Sequence, residues 1–500
     1  MPDFFGVRAT EKKSALTAPV TAQTATMAFG TAPVHQTGRG ANEIVLAFSY
    51  AEAIAQLGWS DDWEKYTLCE VIDSHFKLYG VGPLLMVNVM DPKQCAGAEN
   101  TEEKAFQNGQ IKLSGDVIPG SVRLLKGGVE TGTDTGETGT EDGGAAAVYQ
   151  PGTDYELFFE DGACIIEALE GGALENAKSV KIACKEVEFQ TSDMTEKVIG
   201  GYSVRDGKSR GIELVDKAFF EAKVLPDILI APGFSQEPGV AAVLTAKAKS
   251  FSIVFRSFAL CDLSAKKGTG YQDAVKEKDK SWTFQQTKER LCWPMVESLD
   301  KRYHLSTHMA GRMSALAAEG GGVPSEPASN KPLLADKAVL EDGTPVTMDL
   351  NMANYVRGQG ITTTLNFVNG FTSWGEYCAC APQNTDMKDM YCNIARMVNY
   401  IANTVILTFW AYTDRKLSPR LASSICSQID IWLNGLKRKE HLLGGRCVLL
   451  SEENPLMDLM AGIVRPHIYL GVPGPAQEIE FVVECDVTYL ENLFSGLFAA

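Results

Sequence analysis

The chain has 500 residues, 45% hydrophobic and 22% charged, with a formal net charge of −17 from 46 basic and 63 acidic side chains. At roughly 100–200 residues per domain, three or four domains are expected, each apolar enough to build its own core. So acidic a surface repels bare nucleic acid and anionic membranes, and no apolar run reaches the roughly eighteen residues that span a bilayer.

Residues 1–26 read as an arm. "MPDFFGVRATEKKSALTAPV" has no apolar segment of the kind that directs secretion, so folding in a cytoplasm is expected. The twelve cysteines are then expected as reduced, mostly buried thiols. "SALTAPVTAQTATMAF" carries no helical stripe and is extended in character. Residues 27–100 combine a helix, "YAEAIAQLGWS", with "GPLLMVNVMDP", a strand with almost no polar face that should be buried on both sides.

In 101–192 the texture changes to short β-like runs between Gly, Pro and Asp-Gly turns, such as "YELFFEDGACIIEALEGGALE" and "AKSVKIACKEVEF". Their spacing predicts a small β-sandwich. The acidic, Gly/Thr-rich "VETGTDTGETGTEDGGAA" within it reads as a solvent-exposed loop. Residues 193–348 follow a strand–helix–strand pattern: "PDILIAPG", then "GVAAVLTAKAKS", then "FSIVFRSFALCDL". That is a βαβ unit and implies a mostly parallel sheet, with "LCWPMV" as a further strand and "THMAGRMSALAAEGG" as a further helix.

Residues 349–475 hold the clearest helix, "RLASSICSQIDIWLNGLKRKEHLLGG", expected over 418–443. Leu421, Ile425, Ile429, Trp432 and Leu436 form its stripe, Ser418 and Pro419 start it, and Gly444 and Gly445 are expected to end it. In 476–500, Ile479, Phe481, Val483, Cys485, Val487 and Tyr489 alternate with mostly polar residues, the pattern of a long half-buried strand.

Tests for chemistry return little. "ILIAPGFSQEPG" is a strand–turn–helix junction with Ser235 in its turn, but it lacks the G-x-S-x-G of a nucleophile elbow, so Ser235 reads as a helix-start residue. His304 and His308 lie four apart without the Glu of H-E-x-x-H. In "AKKGTGYQD" the lysines precede the glycines, the reverse of a phosphate-binding loop. Cys378, Cys380 and Cys392 lack the paired spacing of a zinc site. No enzyme, cofactor or metal is therefore expected. Lys437, Arg438 and Lys439 end the strong helix, where cations offset the helix dipole; they are either a solvated helix end or a dock for an acidic partner.

Several segments, in order, resemble contractile bacteriophage tail sheath proteins and related tailocin sheaths. "GVRATEKKSALTAPVTAQTATMAFGTAP" resembles their N-terminal arm and first strand, and "PGSVRLLKG…YQPGTDYELFFEDG" their inserted β-sandwich. "DILIAPGFSQEPGVAAVLTAKAKS", "CWPMV" and "PSEPASNKPL" resemble the central domain, subtilisin-like in fold but not a protease. "WLNGLKRKEHLLGGRCVLLSEENP…PAQEIEFVVECDVTYLENLF" resembles the C-terminal domain. The resemblance covers nearly the whole chain.

It implies a multidomain α/β and β protein: a non-enzymatic subtilisin-like α/β domain, an inserted β-sandwich and an α+β C-terminal domain, with extended arms at both ends. It also implies hexameric rings stacked around a tail tube, ended by baseplate and tail-terminator proteins. Neither nucleic acid nor membrane insertion is part of that picture. Neighbouring subunits are linked by β-augmentation through the C-terminal strand (Ile479, Phe481, Val483, Cys485, Val487, Tyr489) and the N-terminal arm (Ala15, Leu16, Val20, Ala22). Gly471, Pro473, Gly474 and Pro475 are the expected arm hinge, and Lys437, Arg438 and Lys439 the expected tube contact. The place of action is a virion tail or tailocin particle, assembled in a bacterial cytoplasm. The alternatives are a hydrolase on the central domain, which needs a complete nucleophile–base set, or another self-assembling shell protein, against which the arm–body–arm layout argues.

Overall fold

The computed structural model describes residues 25–126, 148–160, 162–175, 177–282 and 288–489. Ala15, Leu16, Val20 and Ala22 of the expected N-terminal arm, and the whole of the acidic Gly/Thr-rich loop, lie outside these residues.

An eight-stranded sheet organises the body. From one edge its strands are 370–374, 361–367, 290–292, 258–262, 228–230, 26–30, 84–88 and 44–47. The six inner strands run parallel, and the two edge strands pair antiparallel with their neighbours. Buried on both faces, the inner strands are continuous apolar runs rather than alternating ones: Thr26–Gly30, Leu84–Asn88, Ile228–Ile230 and Phe258–Asp262 are buried at every position. The sheet draws strands from three of the segments distinguished in the sequence (27–100, 193–348 and 349–475). Thr26–Gly30 lies at its centre, between Ile228–Ile230 and Leu84–Asn88.

Two expected strands are shorter than predicted. "LCWPMV" divides at Pro294 into Arg290–Cys292, in the main sheet, and Met295–Ser298, in a separate three-stranded sheet. Proline has no amide hydrogen to give a central ladder, so the chain leaves the sheet there. In "FSIVFRSFALCDL" only Phe258–Asp262 is strand, because Ser252 and Ile253 turn the chain with φ of 46° and 72°.

Residues 96–187 form two three-stranded antiparallel sheets, one of 96–105, 179–187 and 123–125, the other of 110–113, 163–168 and 155–160. Ile111, Cys164 and Ile166 from one, and Leu124, Val180 and Ile182 from the other, share a hydrophobic cluster separate from that of the main body. Asp116 pins this unit to the body: it accepts from Tyr66 Oη and pairs with Lys65 Nζ, each at 2.6 Å.

Candidate functional site

The C-terminal layer consists of two helices, Cys392–Phe409 and Pro419–Arg438, a β-hairpin and an extended tail. The second helix begins as its sequence dictates: Ser418 Oγ accepts the Leu421 amide at 3.2 Å, and Pro419 occupies the first turn. Ala422, Ile429, Leu433 and Leu436 are buried, with Ile425, Cys426 and Trp432 half-buried beside them. The helix ends at Arg438, not at 443. Glu440 turns the chain at φ 63°, and Gly444 and Gly445, expected as the stop, instead open the strand Gly444–Leu449. At Gly445 an added Cβ would come to 3.0 Å from Leu433 Cδ1, so a larger residue there would have to push that side chain aside.

Lys437, Arg438 and Lys439 are exposed in the last turn. None of the three has an ion-pair partner among the described residues. Exposed Ile431 and Asn434 precede Lys437 and Arg438 along a shallow surface hollow, so the outer face of the helix offers one apolar side chain followed by concentrated positive charge.

Strands Gly444–Leu449 and Pro466–Gly471 pair only with each other among the described residues. A two-stranded ribbon with no further strand on either side is marginal alone and a template for further strands. The ribbon is held to the long helix by Asp430 Oδ1, which accepts the Cys447 amide at 2.6 Å. The loop at its tip exposes Leu456, Met457 and Met460.

The expected hinge residues fall where the ribbon becomes tail. Gly471 pairs with Gly444 in the hairpin, while Pro473 O accepts from Asn393 Nδ2 at 3.2 Å. Arg357 then donates to Gln477 Oε1. From Glu478 to Asp486 the chain has no assigned strand, so the long strand expected there has no ladder among the described residues. Ile479, Phe481, Val483, Cys485, Val487 and Tyr489 are all exposed. Glu478, Glu480, Glu484 and Asp486 fall on the alternate positions, which gives the segment an apolar side and an acidic side.

Ser235 is fully buried, and its Oγ accepts the Asp262 amide at 3.0 Å and donates to Asp262 Oδ2 at 3.3 Å. The serine ties the turn after strand 228–230 to the end of the neighbouring strand. His304 and His308 are separated rather than paired. His304 Nδ1 lies 2.8 Å from Glu70 Oε2; burial opposes its charge, but Glu70 and Asp262 outweigh burial and lift its pKa to about 9. His308 Nδ1 lies 3.1 Å from Tyr79 Oη, and burial, with nearby His75, lowers its pKa to about 3. Neither histidine bonds to Ser235. Lys266 belongs to a turn, its carbonyl accepting the Thr269 amide.

Sequence reasoning missed the polar joint between this layer and the sheet. Glu376 Oε2 receives Arg290 at 2.9 Å and the Ala328 and Ser329 amides at 3.0 Å each, while its Oε1 caps the 392–409 helix through the Asn393 amide. Along the same helix Arg396 pairs with Asp227, Asn399 donates to Ser257 O, and Asn403 exchanges two bonds with the Arg256 backbone. The one signal in the sequence is the three- and four-residue spacing of 393, 396, 399 and 403 inside an apolar run.

No family model matches the chain, and no curated protein matches it. Solved structures do. The sheath complex of an extracellular contractile injection system (PVC) in its contracted state superposes with a TM-score of 0.56 at 13% identity, covering 98% of this chain and 99% of that one. The helical sheath of the anti-feeding prophage (AFP) in its contracted state gives 0.53 at 13% identity, covering 97% of this chain and 100% of that one. A chain of the contracted AFP baseplate gives 0.55 at 12% identity over 97% and 99%. At these identities the likeness is one of fold, and it extends over essentially the whole chain.

Proposed function

We propose that this chain is a structural subunit of a contractile sheath: it polymerises in stacked hexameric rings around an inner tube and drives that tube through a cell envelope when the rings repack. A full-length superposition on sheath subunits supports the reading. The observation that carries it is the pairing, on one chain, of an open two-stranded ribbon with a tail that has an apolar side and no partner of its own.

In this reading residues 476–500 add a strand to the ribbon of another copy, with Ile479, Phe481, Val483, Cys485, Val487 and Tyr489 as the contacts. Residues 1–26, through Ala15, Leu16, Val20 and Ala22, add from the other end. Gly471, Pro473, Gly474 and Pro475 supply the hinge. Lys437, Arg438 and Lys439 hold the tube weakly enough to release it. The 27–100 and 193–348 segments make a subtilisin-like body without catalysis, 101–192 is an outward β-sandwich, and 349–475 is the sheath domain proper. The work of contraction comes from the free-energy difference between two packings, so no nucleotide takes part. Tube, baseplate and terminator proteins are the remaining partners, in a phage tail or tailocin particle assembled in a bacterial cytoplasm.

The test is electron microscopy of the purified chain at rising concentration, alone and with a co-expressed tube protein. Hollow striated tubes in either condition are expected. A monodisperse monomer in both overturns the proposal.

A further inference from the structure

Two pairs of thiols lie in contact within the C-terminal half. Cys426 Sγ and Cys447 Sγ are 3.4 Å apart, and Cys378 Sγ and Cys392 Sγ 3.5 Å apart. The two pairs differ in access. Cys378 and Cys392 are wholly enclosed, whereas Cys426 is half-buried on the surface of the long helix.

The approach of Cys426 to Cys447 is enforced from a second direction. Asp430 stands one turn beyond Cys426 on the same helix and accepts the Cys447 amide at 2.6 Å. Cys447 is therefore clamped over the helix at its backbone while its side chain meets Cys426. Closing from 3.4 Å to a disulfide bond of about 2.05 Å asks for a shift of roughly 1.3 Å, within reach of small side-chain rotations.

We propose that Cys426 and Cys447 are a latent disulfide site that takes a small-molecule disulfide such as oxidised glutathione as its oxidant. Cys426, the accessible thiol, attacks as thiolate and breaks the sulfur–sulfur bond of the oxidant. One glutathione leaves as a thiolate and takes up the proton that Cys426 gave up. Cys447 then loses its proton and attacks the Cys426 sulfur, expelling the second glutathione. The protein gives up two electrons and two protons, and the oxidant becomes two thiols. Burial pushes the Cys447 thiol up to about 12, so the closing step is slow at neutral pH and faster in mild base.

The bond closes a loop over 426–447 that contains Lys437, Arg438 and Lys439, and so fastens the basic helix end to the ribbon. The proposal rests on side-chain geometry alone and is independent of the sheath reading, since the experiment uses unassembled chains. The reduced full-length protein is incubated with oxidised glutathione, then alkylated and mapped by mass spectrometry without reduction. A peptide pair joining Cys426 to Cys447 is expected, with Cys378 and Cys392 still alkylatable after unfolding. Cys447→Ser should instead leave glutathione on Cys426. The proposal is overturned if, in the native protein, Cys426 and Cys447 both stay free while exposed Cys485 reacts. It is equally overturned if Cys426 retains glutathione beside a free Cys447.

Discussion

Val482 and Val483 are neighbours of one residue type, exposed by 85% and 93% in the single chain, and they differ only in which side of the extended tail they occupy. If the tail adds to a ribbon with its apolar side inward, Val483 is buried on assembly and Val482 is not. Val483→Ala removes two carbons from the contact. At about 0.8 kcal/mol per buried methylene, plus a small cavity term, the loss is about 1.5–2 kcal/mol. Since 1.4 kcal/mol is a factor of ten, the critical concentration for polymerisation should rise about ten- to thirtyfold. Val482→Ala should stay within about twofold, and neither variant should change the stability of the unassembled chain by more than about 0.5 kcal/mol. Sedimentation of polymer over a concentration series reads the effect, with tube protein supplied as nucleus where needed. Equal shifts for the two variants, or none, refute strand addition with a fixed buried side.

Three further outcomes follow from other parts of the molecule. Glu376→Gln leaves Arg290 buried without its countercharge and sets an amide NH2 against N–H donors on one side or the other; native-state hydrogen exchange of the 392–409 helix should report a loss of about 3–5 kcal/mol, and a loss under about 1 kcal/mol contradicts the account. Burial lowers His75 and His308 to about 4 and about 3, while His304 is lifted to about 9 by Glu70 and Asp262 against the opposing effect of burial. The unfolded chain binds protons on His75 and His308 below about pH 6.5 and the folded chain does not, so stability should fall as pH drops from there towards 3, by up to about 1.4 kcal/mol per pH unit and per histidine. The His304 contribution has the opposite sign: it is fully present below about 6.5 and is lost as pH rises through 9, and denaturant midpoints across pH 3–10 that show no such maximum contradict both assignments. Replacing Lys437, Arg438 and Lys439 together by Glu should abolish assembly on the tube but leave tube-free polymers intact; co-sedimentation with tube protein that survives the change removes these residues from the tube contact.

What the sequence made legible was local. Ser418 and Pro419 mark a helix start because capping chemistry needs no distant partner. The alternation from Ile479 to Tyr489 likewise shows a two-sided segment, although no strand forms until something pairs with it. The long-range arrangement was not legible. Nothing local shows that Thr26–Gly30 lies beside Ile228–Ile230, some two hundred residues away, because a parallel neighbour is chosen by packing on both faces. Gly444 and Gly445 look like a helix stop but open the ribbon, and only at Gly445 would a side chain crowd a neighbour, Leu433. Glu376, Arg290 and Asn393 are scattered in sequence and become one joint only in the fold.

That joint bears on how such a subunit could move. The 392–409 helix meets the body through Glu376, Asp227, Ser257 and the Arg256 backbone, contacts that lie on several strands and loops of the α/β body. Buried charge and amide groups of this kind are costly to separate, because each would be left unpaired in a low-dielectric interior. The C-terminal layer should therefore turn with the body as one piece. Among the described residues, 478–489 form no hydrogen bond or ion pair with the body, so no such polar partner must be given up there. For subunits that rotate while remaining linked, bending at the proposed Gly471–Pro475 hinge then has to give up only the Asn393–Pro473 and Arg357–Gln477 bonds. Lengthening the chain by two glycines after Gln477 should preserve assembly while loosening the coupling between rings. A single glycine inserted between Phe481 and Val482 should instead move every later side chain to the other face of the docked strand and prevent assembly.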